Sequence, residues 1–227
     1  MSHPDFTNPF WSGLVTANAS LAIGGDLARR YPAEVIPFGG VADVRDPACM
    51  AAFRDLLHPG EKVYLTGDDL AAVDGLVESV LLPGVQMHFA GDSSAAAFSD
   101  QVVLLGEEEA QEMVALTDVA FPGYFRPATW KLGQYYGLRV ERELIAMAGV
   151  RVSLPGWREI SAVCTHPQHT GKGYAATLIR HVMAEHRKEG AESYLHAAAA
   201  NHRAIAIYER LGFTHTRNIS FRGMQLA

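Results

Sequence analysis

The stretch Glu159-Ile-Ser-Ala-Val-Cys-Thr-His-Pro-Gln-His-Thr-Gly-Lys-Gly-Tyr-Ala-Ala176 decides how the chain is read. A strand runs into Pro167, which cannot continue a central ladder. Gly171 and Gly173 follow, and then a strongly amphipathic helix begins. Ala175, Leu178, Ile179, Val182, Met183 and His186 recur at its apolar period. Arg187 and Lys188 suit its negative end, and Gly190 stands as its C′ residue. Glycines just before a helix let backbone N–H groups converge on a hollow. With the positive end of the macrodipole, that hollow binds phosphate. A plain glycine turn without a ligand is the alternative. Gly171-Lys-Gly173-Tyr-Ala-Ala176 also fits the dinucleotide fingerprint G-x-G-x-x-A. That motif needs an acidic residue at the end of the next strand, and Ser193 to Ala197 runs instead into Ala198-Ala199-Ala200-Asn201. The preceding strands also read as an antiparallel meander, so the dinucleotide reading is the weaker one.

Downstream, Asn201 is a natural N-cap and Gly212 a natural C′ residue for a helix with Ala204, Ile207, Tyr208 and Leu211 on one face. Together these residues resemble the GNAT superfamily of acyl-CoA-dependent N-acetyltransferases. Gln168-x-x-Gly171-x-Gly173 is similar to that family's pyrophosphate motif. Asn201, then Ala-Ile-x-x-Tyr208-x-x-x-Gly212-Phe213, is similar to its second cofactor motif. The resemblance covers residues 100–227 and is strong over 158–213.

The resemblance implies an α/β fold with a mixed, mostly antiparallel sheet and a V-shaped splay between its fourth and fifth strands. It implies acetyl-CoA, or another acyl-CoA, as co-substrate, its pantetheine arm lying along Val163, Cys164 and Thr165. Gln168, His169, Thr170, Gly171, Lys172, Gly173, Tyr174 and Ala175 would wrap the pyrophosphate. Many relatives carry Arg where this chain has Thr170, a departure that weakens the phosphate site unless Lys172 or His169 compensates. Asn201 would bond the pantetheine, beside its capping role. Tyr208 would donate a proton to the departing thiolate. Glu159 matches a base position in some relatives, with a carboxyl raised by burial, a water chain being the other route. By strand alternation Glu159, Ser161, Val163 and Thr165 share one face. Acyl transfer to a primary amine of a small molecule or peptide by direct attack needs no enzyme nucleophile, so Cys164 reads as a small buried residue. A non-catalytic module sensing acyl-CoA is the alternative function. No metal is expected: His166-x-x-His169 falls in the phosphate loop, and His181 and His186 are badly spaced on a helix.

Toward the N-terminus the signals are local. The sequence predicts helices over Asn8 to Ala22, Asp46 to Leu57 and Leu70 to Leu82, the last stopped by Pro83-Gly84, and strands over Lys62 to Thr66 and Val85 to Ala90. The small, polar run from 91 to 97 is the expected boundary between an N-terminal α/β region, 1–98, which could be a degenerate half of the same fold, and an acetyltransferase domain, 99–227. Beyond it the sequence predicts a strand over Val102 to Leu105, a helix over Glu107 to Ala120 and strands over Tyr135 to Glu141, Leu144 to Leu154 and Arg158 to Thr165. The loop Phe121 to Trp130 is expected to shape acceptor specificity, with Phe125, Trp130, Tyr135 and Tyr136 as candidate cleft residues. A last strand, Ile219 to Leu226, is expected at an exposed edge, where it could pair in a homodimer.

Composition bounds the rest. The 227 residues carry 19 Lys plus Arg against 25 Asp plus Glu, a formal charge of −6, which argues against a nucleic-acid coat. No apolar run approaches the roughly 20 residues of a membrane span. Met1-Ser-His-Pro-Asp5 lacks the features of a secretion signal, and two cysteines cannot form a disulfide framework. A cytoplasmic location is the default expectation.

Overall fold

The computed structural model describes residues 6–91 and 96–227. The first five residues, read above for a secretion signal, and residues 92–95 of the expected 91–97 boundary lie outside them.

The chain starts with helix α1 (Pro9–Val15), strands β1 (Ile23–Gly24), β2 (Ala28–Arg30) and β3 (Gly39–Val41), and helix α2 (Pro47–Arg54). Strands β1 to β3 form a small antiparallel sheet. Helix α2 starts as its sequence predicts, with Pro47 at N1 and the Asp46 carboxylate accepting the Ala48 N–H at 2.8 Å. Helix α1 is shorter than the expected Asn8 to Ala22. The Asn8 side chain does not cap it but donates to the Val41 carbonyl at 2.7 Å, tying the helix to β3.

The remaining strands build one eight-stranded sheet. They are β4 (Val63–Thr66), β5 (Leu76–Phe89), β6 (Val103–Leu105), β7 (Tyr135–Val140), β8 (Glu143–Leu154), β9 (Trp157–Thr165), β10 (Glu192–Ala198) and β11 (Phe213–Leu226), in the spatial order β4-β11-β5-β10-β9-β8-β7-β6. All pairings are antiparallel except β9 with β10. Helix α3 (Ala110–Ala120) packs on β8 and β9. Helix α4 (Tyr174–Lys188) crosses β7 to β10 with Leu178, Ile179, Val182 and Met183 buried beneath it, and α5 (His202–Arg210) leads into β11.

Two expectations from the sequence are corrected here. Leu70 to Leu82 is not a helix: Gly75 turns at φ 78°, and Leu76 to Leu82 pair with β11 as the first half of β5. Pro83 does not stop that strand. It sits where β10 runs out at Ala198, so its missing N–H interrupts no ladder, and its carbonyl accepts the Ala199 N–H at 2.9 Å. Likewise Ile219 to Leu226 is no free edge. Strand β11 is paired with β5 from Phe213 to Leu226 and with β4 on its other side over Phe221 to Met224, so it lies inside the sheet.

Through β4 and β5, residues from the first hundred thus stand inside the same sheet as β6 to β11. Among the described residues no helix is long and apolar enough to cross a membrane.

Candidate active site

The site originates in a failure of pairing. Strands β9 and β10 run parallel and hydrogen-bonded only over Trp157 to Ile160 against Glu192 to Leu195. Beyond Ile160 they diverge, and the edge of β9 that faced β10 is open from Ser161 to Thr165. The cause lies in β9 itself. Ala162 has φ 51°, and the register against β8 slips between Met147 and Gly149, so β9 carries one extra residue there. A non-glycine residue in that region costs on the order of 1–3 kcal/mol, which the surrounding packing must sustain. The bulge also breaks the alternation that the sequence predicts. Val163 packs into the same cluster as Ile160 under α4, whereas Ala162 and Cys164 pack with Met147 and Tyr135 on the other side.

On one side of the splay lies a cleft of about 1080 Å3. Its walls include Val163, Cys164, Thr165, His169, Thr170, Gly171, Lys172, Gly173, Tyr174, Ala175 and Asn201, eleven of the twelve residues proposed from the sequence to hold the cofactor. Gln168 is not among the wall residues; its N–H is donated to His166 Nδ1 at 3.3 Å. Gly171 and Gly173 both have φ 82°, with open space where a Cβ would stand, so the backbone conformation rather than crowding requires glycine. Gly173 caps α4 without any side-chain hydrogen bond, which leaves the first-turn N–H groups available to an anion. His169 Nδ1 is buried beside them without a partner among the described residues. Arg180, Arg203 and Arg210 also line this cleft. An uncapped helix start, an orphaned ring nitrogen and four basic side chains, counting Lys172, fit a pyrophosphate-bearing ligand. Asn201 caps α5 by accepting the Ala204 N–H at 3.1 Å.

On the other side lies a second cleft, of about 650 Å3, walled largely by aromatic rings. Phe38 and Tyr64 come from the first hundred residues, Tyr124 and Phe125 from the loop after α3, Tyr135 from β7 and Phe221 from β11. Of the four aromatics expected from sequence, Phe125 and Tyr135 line it. Trp130 is not among its wall residues, and Tyr136 packs on the α4 side of the sheet against His181. The two clefts meet at Phe121, Val163, Asn201, Ala204 and Tyr208, which line both. Tyr208 is 8% exposed, and burial pushes its phenol up to about 12.

Glu159 sits beneath the second cleft at 0% exposure. Its carboxylate accepts from Arg151 Nε at 3.2 Å and from Arg151 Nη2, and from His196 Nδ1 at 2.7 Å. His196 Nε2 in turn lies 2.9 Å from the Gln86 amide nitrogen, which makes that ring atom the acceptor and Nδ1 the N–H. Burial pushes the Glu159 carboxyl up, but Arg151 and His196 more than offset it and hold the group near 2. The expectation of a raised carboxyl, suited to a base, is therefore corrected: the cation across the strand overrides desolvation. Cys164 is buried, and burial pushes its thiol up to about 12.

The sequence reading missed Arg151 and His196. Arg151 had a signal: a lone charge in the apolar strand Leu144 to Leu154, brought across from Glu159 by the hairpin at Pro155-Gly156.

Residues 135–221 match the family model of FR47-like proteins. The structure superimposes on a GNAT-family protein from Novosphingobium aromaticivorans over 100% of both chains, with a TM-score of 0.90 and 33% identity. It also resembles a GCN5-related N-acetyltransferase from Kribbella flavida (TM-score 0.57, 18% identity, 93% of each chain). A GCN5-related N-acetyltransferase-like protein from Streptococcus suis gives a TM-score of 0.56 at 12% identity, over 91% of this chain and 82% of that one. These last two show the fold alone. No curated protein matches by sequence. The full-length likeness at 33% identity places the chain in the GNAT family, whose members generally transfer acyl groups from acetyl-CoA.

Proposed function

We propose that the protein transfers an acetyl, or another short acyl, group from acyl-CoA to a primary amine by direct attack. The observation that carries this reading is the meeting of the two clefts at Tyr208: one fits a phosphorylated ligand, the other a small organic acceptor. The acyl-CoA supplies the activated thioester. Val163 to Thr165 offer it the open backbone edge of β9, and residues 169–175 with the start of α4 hold its phosphates. Asn201 stands where the pantetheine arm would pass.

Tyr208 keeps its proton at neutral pH because its phenol is pushed up to about 12. A thiol is the stronger acid, but a protonated phenol beside a thiolate forming in an apolar wall stabilises the charge and can pass it a proton as the C–S bond breaks. The amine nitrogen attacks with its lone pair, and its surplus proton leaves through water. Glu159 is not placed to take it, being sealed beneath the cleft and committed to two cationic or N–H donors. We assign Glu159 to positioning Arg151.

Residues 99–227 supply the acyl-CoA side and residues 1–98 part of the acceptor wall, so we regard the two as parts with different tasks on one sheet. Calorimetry with acetyl-CoA, followed by thiol release with an amine panel, tests the reading. Absence of binding at millimolar acetyl-CoA contradicts it, and tight binding without turnover of any amine would mean an acyl-CoA sensor instead.

A further inference from the structure

The acceptor cleft has an unusual charge pattern. Among the described residues that line it there is no Asp, Glu or Lys, and Arg151 is its one charged side chain. A cleft built to receive a polycation such as a polyamine would present carboxylates. This one presents a guanidinium in an aromatic wall.

The orientation of Arg151 is fixed from behind. Its Nε and Nη2 are donated to Glu159, which is wholly buried, while the Arg151 side chain keeps 17% of its surface. The guanidinium carbon lies 5.0 Å from the Phe38 ring centroid, 5.3 Å from that of Phe10 and 5.8 Å from that of Phe221. Rings around the cation hold it in place and exclude water. Nη1 has no hydrogen-bond partner among the described residues, yet it is not among the buried unpartnered atoms. It therefore has access to the cleft and two N–H groups to offer. A planar guanidinium held on one edge by a carboxylate, with its other edge free, is suited to a second carboxylate.

We propose, resting on the acyltransferase reading above, that the acceptor is a carboxylate-bearing primary amine with an apolar body, of which free aromatic and aliphatic α-amino acids are the simplest. The acceptor's carboxylate pairs with Arg151 Nη1, and its side chain packs on Phe38, Tyr64 and Tyr124. Its amine then faces the junction at Tyr208. Glu159 is a positioning residue in this scheme: it aims the guanidinium.

The test uses the full chain. Acetyl-CoA binding is measured first by calorimetry. Thiol release is then compared for L-phenylalanine and L-leucine against phenylalaninamide, phenethylamine and spermidine, with rates expressed per neutral amine. The expected result is a kcat/KM for the free acids about 10- to 100-fold above the amide and the decarboxylated amine, the size of one lost hydrogen bond to a charged group. Arg151→Gln, if it folds, should bring the acid-to-amide ratio close to unity; if it does not fold, the wild-type comparison still decides. Equal or better turnover of the amide, preference for spermidine, or bound acetyl-CoA with no acid acetylated would overturn the proposal. Failure to bind acetyl-CoA would instead overturn the acyltransferase reading, and this proposal with it.

Discussion

The two clefts that meet at Tyr208 are built in opposite ways. The cleft proposed for acyl-CoA is a backbone site: an open strand edge, two glycines at φ 82° and an uncapped helix start, all within Ser161 to Ala175. The proposed acceptor side is a side-chain site, assembled from β7, β8, β9, β10, β11, α5, the loop after α3 and three segments of the first hundred residues. A backbone site needs particular residue types at fixed local spacing. A side-chain site needs only that distant segments arrive together, and many sequences satisfy that. The first should tolerate change at exposed side chains and fail at glycine; the second should fail where charge is buried.

The junction gives the largest expected effect. Tyr208→Phe should lower kcat by roughly 10^2- to 10^4-fold while leaving acetyl-CoA affinity unchanged. Calorimetry beside steady-state thiol release separates the two, and unchanged turnover would remove Tyr208 from the acid role. Next, Arg151→Met leaves the Glu159 carboxylate buried without its main cation and should cost about 3–5 kcal/mol of stability in denaturant unfolding. A cost near zero would mean that the buried pair contributes little.

Gly173→Ala probes the backbone side. With no atom within 4 Å of the new Cβ, only strain at φ 82° acts. It should cost about 1–2 kcal/mol, read as a loss of stability or as up to about tenfold weaker acetyl-CoA binding. The KM for the amine should not move.

Acid lability also divides the molecule. Glu159 is held down near 2, from an ordinary value of 4.5, by Arg151 and His196 outweighing burial, so its contribution is complete above about pH 4.5 and is lost as pH falls toward 2. His186, on the buried face of α4 and bonded to Ser193 Oγ at 2.8 Å, is pushed down to about 3 by burial. Its folded-state value is depressed, so the neutral ring's contribution is complete above about pH 6.5 and is lost between there and pH 3. His186→Asn should therefore flatten the stability profile between pH 6 and 4, as equilibrium unfolding across that range would report. The smallest effect belongs to Thr170→Arg. An exposed guanidinium near the phosphate cradle is worth about 0–1 kcal/mol, a few-fold gain in acetyl-CoA affinity that salt should erase.

The same contrast explains what could be read from the chain. Gly171, Gly173 and the Asn201 cap were legible because helix starts, caps and turns are written in neighbouring residues, whereas the role of Tyr208 rests on resemblance. The splay itself was legible only through resemblance, since nothing in Ser161-Ala-Val-Cys164 announces that Ala162 would adopt φ 51° and reverse the faces of the residues after it. The Leu70 to Leu82 segment was misread because its apolar spacing suits a helix as well as a strand, and β11, which pairs with it, lies more than a hundred residues away. Glu159 was found, but its state was inverted: burial was foreseen and Arg151 was not. Cross-strand partners decide a buried carboxylate, and they are not visible one residue at a time.

The central claim is that the clefts meeting at Tyr208 carry out acyl transfer. Titrating acetyl-CoA into the wild-type protein and into Tyr208→Phe, then following thiol release from each with the amine panel, addresses it directly. The account predicts equal binding by both proteins and turnover at least about 100-fold slower in the variant; no binding by either, or equal turnover by both, would contradict it.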